Sequence, residues 1–172
     1  MMSSNKILIF GNSGSGKSTL ACALADSRGL AHLDLDTLAW LPTSPPQRAP
    51  LADANTHLQM FIRSDAAIGG WVIEGCYTDL LGLVSEDADQ IIFMNLPVEA
   101  CIANAQARPW EPHKYISKAA QDENLDMLLG WIAQYVGRDD EFSHAAHLRF
   151  YEHFDGPKTM LTQNAELADI EW

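Results

Sequence analysis

The sequence is poor in cysteine: Cys22, Cys76 and Cys101 are the only three among 172 residues. An odd number with no paired spacing argues against a disulfide framework and against a cysteine-built zinc site. Such usage fits a reducing compartment, so a cytoplasmic location is the expectation. Positive charge is also scarce. Eleven lysines and arginines face 23 aspartates and glutamates, for a formal net charge of -12. A surface that negative repels phosphate backbones and anionic bilayers, so neither nucleic acid nor a membrane is expected as the main partner. A small anionic ligand needs only a local positive site and stays compatible. No apolar run approaches the roughly 18 residues of a membrane helix. The start, Met1-Met2-Ser3-Ser4-Asn5, lacks the basic segment of a secretory leader.

What is present suits a packed core: 47% apolar residues with 20% charged. The length favours a single domain over 1–172, since domains cluster at about 100–150 residues. Lys6-Ile7-Leu8-Ile9-Phe10 is a short apolar run closed by Gly11, the pattern of a buried parallel strand. A helix follows over 18–28, with Leu20, Ala21, Leu24 and Ala25 on one side and Gly29 as its stop. Further strands are expected at 31–35, 71–74, 90–96 and 158–161. Helices are expected at 53–68, 97–108, 119–136 and 141–154. The segment 42–50 holds four of the eight prolines and reads as a loop, and 109–117 reads as irregular. Strands alternating with helices imply an α/β fold with a parallel sheet covered on both faces.

The strongest motif is Gly11-Asn12-Ser13-Gly14-Ser15-Gly16-Lys17-Ser18-Thr19, which satisfies G-x-x-x-x-G-K-[ST] between a strand and a helix. In that context the glycines let successive backbone N–H groups converge on phosphate oxygens, and the helix adds its positive end. Lys17 then reaches the β- and γ-phosphates, and the Ser18 hydroxyl goes to Mg²⁺. A nucleoside triphosphate with magnesium is the expected ligand; a plain Gly/Ser turn would leave Lys17-Ser18 at this register as coincidence. No apolar strand ends in the Asp-Glu of motor ATPases, and no Asn-Lys-x-Asp run reads guanine as in GTPases.

These residues resemble the small P-loop kinases of the shikimate kinase and adenylate kinase group. Asp34-x-Asp36 after the second strand is similar to the shikimate kinase Asp-x-Asp pair. Val72-Ile73-Glu74-Gly75 resembles the acidic-Gly strand end of adenylate kinases, and Arg138-Asp139-Asp140 their post-lid Arg-x-Asp-Asp with one residue missing. The chain is similar as well to bacterial proteins described as adenylate kinase-related or DNA-topology-modulation-type ATPases. The resemblance implies a P-loop NTPase three-layer sandwich with a five-stranded parallel sheet in the order 2-3-1-4-5. It also implies a substrate-binding segment at about 37–70, a small lid at about 108–118, and a monomer or weak dimer. ATP and Mg²⁺ would be used to phosphorylate a small-molecule hydroxyl or phosphate.

Two carboxylates two positions apart on an extended strand end point to one face. The resemblance places Asp34 nearer magnesium, through water, and Asp36 nearer the acceptor; a helix cap is the plain alternative for Asp36. Glu74 with Gly75 stands for the magnesium shell or the acceptor, against a solvated turn. A glutamate there would repel a carboxylate, which argues against shikimate itself. A nucleoside monophosphate would need several arginines, and the substrate segment supplies only Arg48, the candidate substrate contact, and Arg63. Arg108 or Arg138 would bridge the transferring phosphate, against surface arginines near helix ends. Trp40, Trp71 and Tyr77 are candidates for a pocket wall or for core. His144, His147 and His153 read as a solvated helix face, and His32 as a packed side chain. A nucleotide-dependent regulatory ATPase with slow hydrolysis and a protein partner is the alternative function. ATP against GTP stays open.

Overall fold

The computed structural model describes residues 5–172; the start of the chain, Met1–Ser4, lies outside them. Its centre is a parallel sheet of β1 (Lys6–Gly11), β2 (Ala31–Asp34), β5 (Trp71–Gly75), β6 (Gln90–Met94) and β7 (Lys158–Leu161). The spatial order is β2-β5-β1-β6-β7. This is the expected arrangement of the five sheet strands, renumbered because a two-residue hairpin, β3 (Trp40–Leu41) with β4 (Gln47–Arg48), forms inside the proline-rich segment. β1 lies centrally, with Ile9 opposite Glu74 of β5 on one side and opposite Ile92 of β6 on the other.

The pleat sorts each strand's side chains onto two faces. Ile7, Ile9, Val72 and Ile92 pack under α1 (Lys17–Arg28), α5 (Val98–Ala107) and the end of α6 (Lys118–Ala133). Leu8, Phe10, Ile73 and Phe93 pack on the opposite face with α3 (Leu51–Ile62), α4 (Thr78–Gly82) and α7 (His144–His153). Helices on both faces hide the inner strands, which is why β5 and β6 are buried at every position, while the edge strands β2 and β7 stay partly exposed.

Several boundaries differ from expectation for local reasons. The single helix expected over 53–68 is α3 followed by a 3-10 turn at Asp65–Ala67, because the Ser64 hydroxyl donates to the Phe61 carbonyl as the helix ends. α6 starts at Lys118 because the Ser117 hydroxyl accepts from the Ala120 N–H, and α7 starts at His144 because Ser143 does the same for Ala146. Two short helices, α2 (Asp36–Ala39) and α4, carry too few residues to show a period in the sequence. All five parallel strands end on one edge of the sheet, so the segments after β1, β2, β5 and β6 share that edge, where ligands enter open α/β sheets.

Candidate functional site

The loop from Gly11 to Gly16 turns back over the end of β1. Gly14 adopts φ +78°, and a Cβ there would fall 2.4 Å from the Cys101 carbonyl oxygen, so both conformation and space require glycine. The loop is tied from outside: Asn104 of α5 donates to the Gly14 carbonyl at 2.8 Å, and the Asn12 side chain donates to the Ile132 carbonyl at 3.2 Å. Lys17 Nζ donates to the Asn12 carbonyl at 2.8 Å, folding the lysine across the loop mouth. Among the described residues no side chain caps α1, and its first turn carries no acidic residue. Its N-terminal N–H groups and dipole therefore face the loop mouth, the arrangement that favours an anion.

Carboxylates stand opposite this positive end. The β2–β5 register places Asp34 beside Glu74. Glu74 is only 2% exposed, and its Oε2 has no hydrogen-bond partner among the described residues. Burial raises its pKa well above the usual carboxylate range, the Asp34 charge raises it further, and Lys17 and the Ser18 hydroxyl oppose the rise. Gly75 follows because a Cβ there would meet the Leu35 Cβ at 2.8 Å.

Asp36 is not on the strand. β2 stops at Asp34, Leu35 is already helical, and Asp36 opens α2, with its N–H donating to Asp34 Oδ1 at 2.9 Å. The two carboxylates therefore converge through a turn, not through the strand pleat, and Asp36 is the first residue of α2 rather than its cap, which is Leu35. Asp36 Oδ1 accepts from the Tyr77 hydroxyl, which in turn accepts from Trp40 Nε1 at 2.8 Å. Lys114, from the segment between α5 and α6, closes the group: its Nζ lies 3.4 Å from Asp36 Oδ2 and 3.7 Å from Asp34 Oδ2. Burial works against that ammonium, but Asp36, Asp34 and Glu111 outweigh it and raise its pKa above the ordinary lysine value.

These groups line a cleft of about 290 Å³ that includes Lys17, Ser18, Asp34, Asp36, Glu74 and Gly75. A second cleft of about 470 Å³ lies beside Gly14, Ser15, Gly16 and Thr19, bounded by Asn104 and by Asn164–Glu166. Arg108 and Pro109 border both, and Arg108 Nε is 3.7 Å from Glu111 Oε1. Asn12 and Ser13 complete the loop, Ser13 on the rim of the smaller cleft.

Two expected site residues lie apart. Arg48 is bound to Glu141 at 2.7 Å and to Asp79 at 2.9 Å, donates to the Ala39 carbonyl, and faces the Tyr77 and Phe142 rings. Its guanidinium is fully engaged in joining the β3–β4 hairpin to α4 and the residues before α7. Arg138 pairs with Asp140 at 2.8 Å and stacks 3.5 Å from the Trp131 ring, again away from both clefts. Trp71 is core, Tyr77 is buried but reaches Asp36, and Trp40 is 38% exposed. His147 corrects the solvated-face expectation: it is fully buried against Phe10 and Phe93. His32 is half-buried, as expected. Lys114 was absent from the expected site residues; its only sequence signal is a cation within a segment expected to cover the site.

The donor set suits magnesium. A hydroxyl (Ser18) and two carboxylates (Asp34, Glu74), one with an orphaned buried oxygen, are hard oxygen ligands. Among the described residues no three His, Cys, Asp or Glu side chains form a metal site by themselves. No helix of the described residues is long and apolar enough to cross a membrane.

No protein-family model matches the sequence, and no curated protein matches it. Among solved structures, the chain is similar to an unliganded crystal structure of a sugar kinase from Janibacter sp. HTCC2649. The TM-score is 0.52 with 16% sequence identity, over 93% of this chain and 86% of that one. The likeness is one of fold alone.

Proposed function

We propose that this protein is a magnesium-dependent kinase that moves the γ-phosphoryl group of ATP to a small molecule. The observation that carries this reading is one cleft in which Lys17 and Ser18 of the glycine-rich loop face the carboxylates of Asp34, Asp36 and Glu74. Phosphoryl transfer asks for in-line positioning and charge neutralisation, and little else. The loop N–H groups, the α1 N-terminus and Lys17 would hold the triphosphate, with the nucleoside in the larger cleft against Asn104. Ser18, Asp34 and Glu74 would hold Mg²⁺, which supplies Lewis-acid neutralisation of the phosphate oxygens. Asp36 takes the acceptor's hydroxyl proton. The acceptor oxygen then bonds to the γ-phosphorus as the bond to the bridging oxygen breaks, leaving its electron pair on ADP. Arg108, shared by both clefts, is placed to contact the transferring group, while the segment around Lys114 acts as the lid that keeps water away. The sugar-kinase fold likeness and the partial enclosure of the smaller cleft favour a kinase over a slow regulatory ATPase.

The test is ADP release from Mg·ATP against nucleosides, nucleoside monophosphates, shikimate and sugar alcohols, with Lys17→Ala as the blank. Stimulation by one acceptor, lost in Lys17→Ala, is expected. A slow Lys17-dependent rate that no acceptor changes would replace the kinase with the regulatory ATPase.

A further inference from the structure

The acceptor end of the smaller cleft is rich in hydrogen-bond acceptors and poor in free cations. Asp34, Asp36, Glu74 and Glu111 all line it. Two of their oxygens, Glu74 Oε2 and Glu111 Oε2, are buried without a partner among the described residues, and Glu74 is 2% exposed. A carboxylate oxygen accepts hydrogen bonds, so the group that completes Glu111 Oε2 must donate, while Glu74 is reserved for the magnesium proposed above. The cleft's cations have other assignments: Lys17 and Arg108 to the triphosphate, and Lys114 between Asp34 and Asp36. Arg48 and Arg138, which would otherwise hold a phosphate or carboxylate, are consumed by Asp79, Glu141 and Asp140.

We infer that the acceptor is a hydroxyl compound carrying no anionic group, a polyol or amino alcohol whose donors meet Asp36 Oδ2 and the unpartnered Glu111 oxygen. This rests on phosphoryl transfer occurring at this cleft, and it narrows the acceptor from a hydroxyl or phosphate to a hydroxyl alone. Asp36 Oδ1 accepts from the Tyr77 hydroxyl and Oδ2 from Lys114 at 3.4 Å; Oδ2, on the cleft side, is the oxygen assigned to receive the acceptor proton. An anionic acceptor brings like charge against these carboxylates and supplies no donor to them.

The experiment compares matched acceptors at equal concentration with Mg·ATP and the full chain: glucose against gluconate, sorbitol against glucose 6-phosphate, adenosine against its monophosphate, with glucosamine and ethanolamine as cationic members. A neutral or cationic member is expected to exceed its anionic partner by about a hundredfold in ADP release. Asp36→Asn, checked for folding by its thermal melt, is expected to lose that stimulation. Equal or greater stimulation by an anionic member overturns the inference and leaves the kinase reading standing. Lys17-dependent hydrolysis unmoved by every member overturns both. An Asp36→Asn variant that keeps full stimulation removes Asp36 from the acceptor site and overturns its assigned contact.

Discussion

The Tyr77 hydroxyl donates to the Asp36 carboxylate from 41 residues away, and Trp40 Nε1 donates to the same hydroxyl at 2.8 Å. Tyr77 is 3% exposed, so this is a fixed support and not a surface contact. One carboxylate oxygen is held from behind while the other faces the cleft, which fixes the rotamer of the proposed base.

Tyr77→Phe removes that support and keeps the ring that packs on Phe142. A hydrogen bond to a charged group contributes roughly 1.5–3 kcal/mol, and the half-exposed Asp36 carboxylate places this one at the low end. The expected result is a stability loss of that order in urea titration, together with about a tenfold fall in kcat from loosened base orientation. A variant with lowered stability and unchanged kcat would show that Tyr77 packs but does not position.

Lys114 ties the segment between α5 and α6 to both aspartates, and its side chain is 27% exposed. An ion pair that open to water contributes at most about 1 kcal/mol to folding. Lys114→Met should therefore leave the urea midpoint nearly unchanged. It should nonetheless free the 108–117 segment, read as faster proteolytic cleavage there in the absence of nucleotide. Cleavage at the wild-type rate would remove Lys114 as the tether.

How much of this could be read from the sequence depends on how local each feature is. The loop is nine consecutive residues, so its spacing alone describes it. Asp34 and Asp36 are legible as a pair, but the sequence suggests a strand pleat where the structure forms a turn, because a four-residue helix has no period to detect. Lys114 meets Asp36 across 78 residues, and Arg48 meets Glu141 across 93. Nothing in either neighbourhood announces such a partner. Arg48 reads as a substrate contact because a lone arginine in a polar loop looks available; only the fold shows two carboxylates already upon it. His147 reads as solvated because histidine spacing on a helix does not reveal which face meets the sheet.

Arg48 can be tested directly. Its side chain is 23% exposed and satisfies Asp79 and Glu141 at once, so Arg48→Met leaves two carboxylates facing each other across an emptied position. After discounting for solvent screening, a loss of about 1–3 kcal/mol is expected in urea titration. Below the shifted melting range, the acceptor KM should stay within about twofold of wild type, since the guanidinium lies away from both clefts. A raised KM at unchanged stability would restore Arg48 as a substrate contact.

His147 supplies the pH dependence. Its Nε2 lies 2.8 Å from the Cys76 carbonyl, which can only accept, so the proton sits on Nε2 and Nδ1 accepts from the Tyr135 hydroxyl at 2.6 Å. Burial lowers the pKa to about 4; the Cys76 carbonyl and Asp140 pull upward, while Lys17 and His144 add to the lowering. The unfolded chain therefore takes up a proton near pH 6.5 that the folded chain refuses until about pH 4. Stability from this group is full above 6.5 and is lost as pH falls toward 4, by about 3 kcal/mol from one residue. His147→Gln cannot titrate. It should start less stable at pH 7, by about 1–3 kcal/mol for the altered buried hydrogen bonds, yet lose correspondingly less on acidification. Urea titrations of both proteins at pH 7.0 and 4.5 measure the difference, and parallel losses in the two would mean that the folded protein admits the proton at His147.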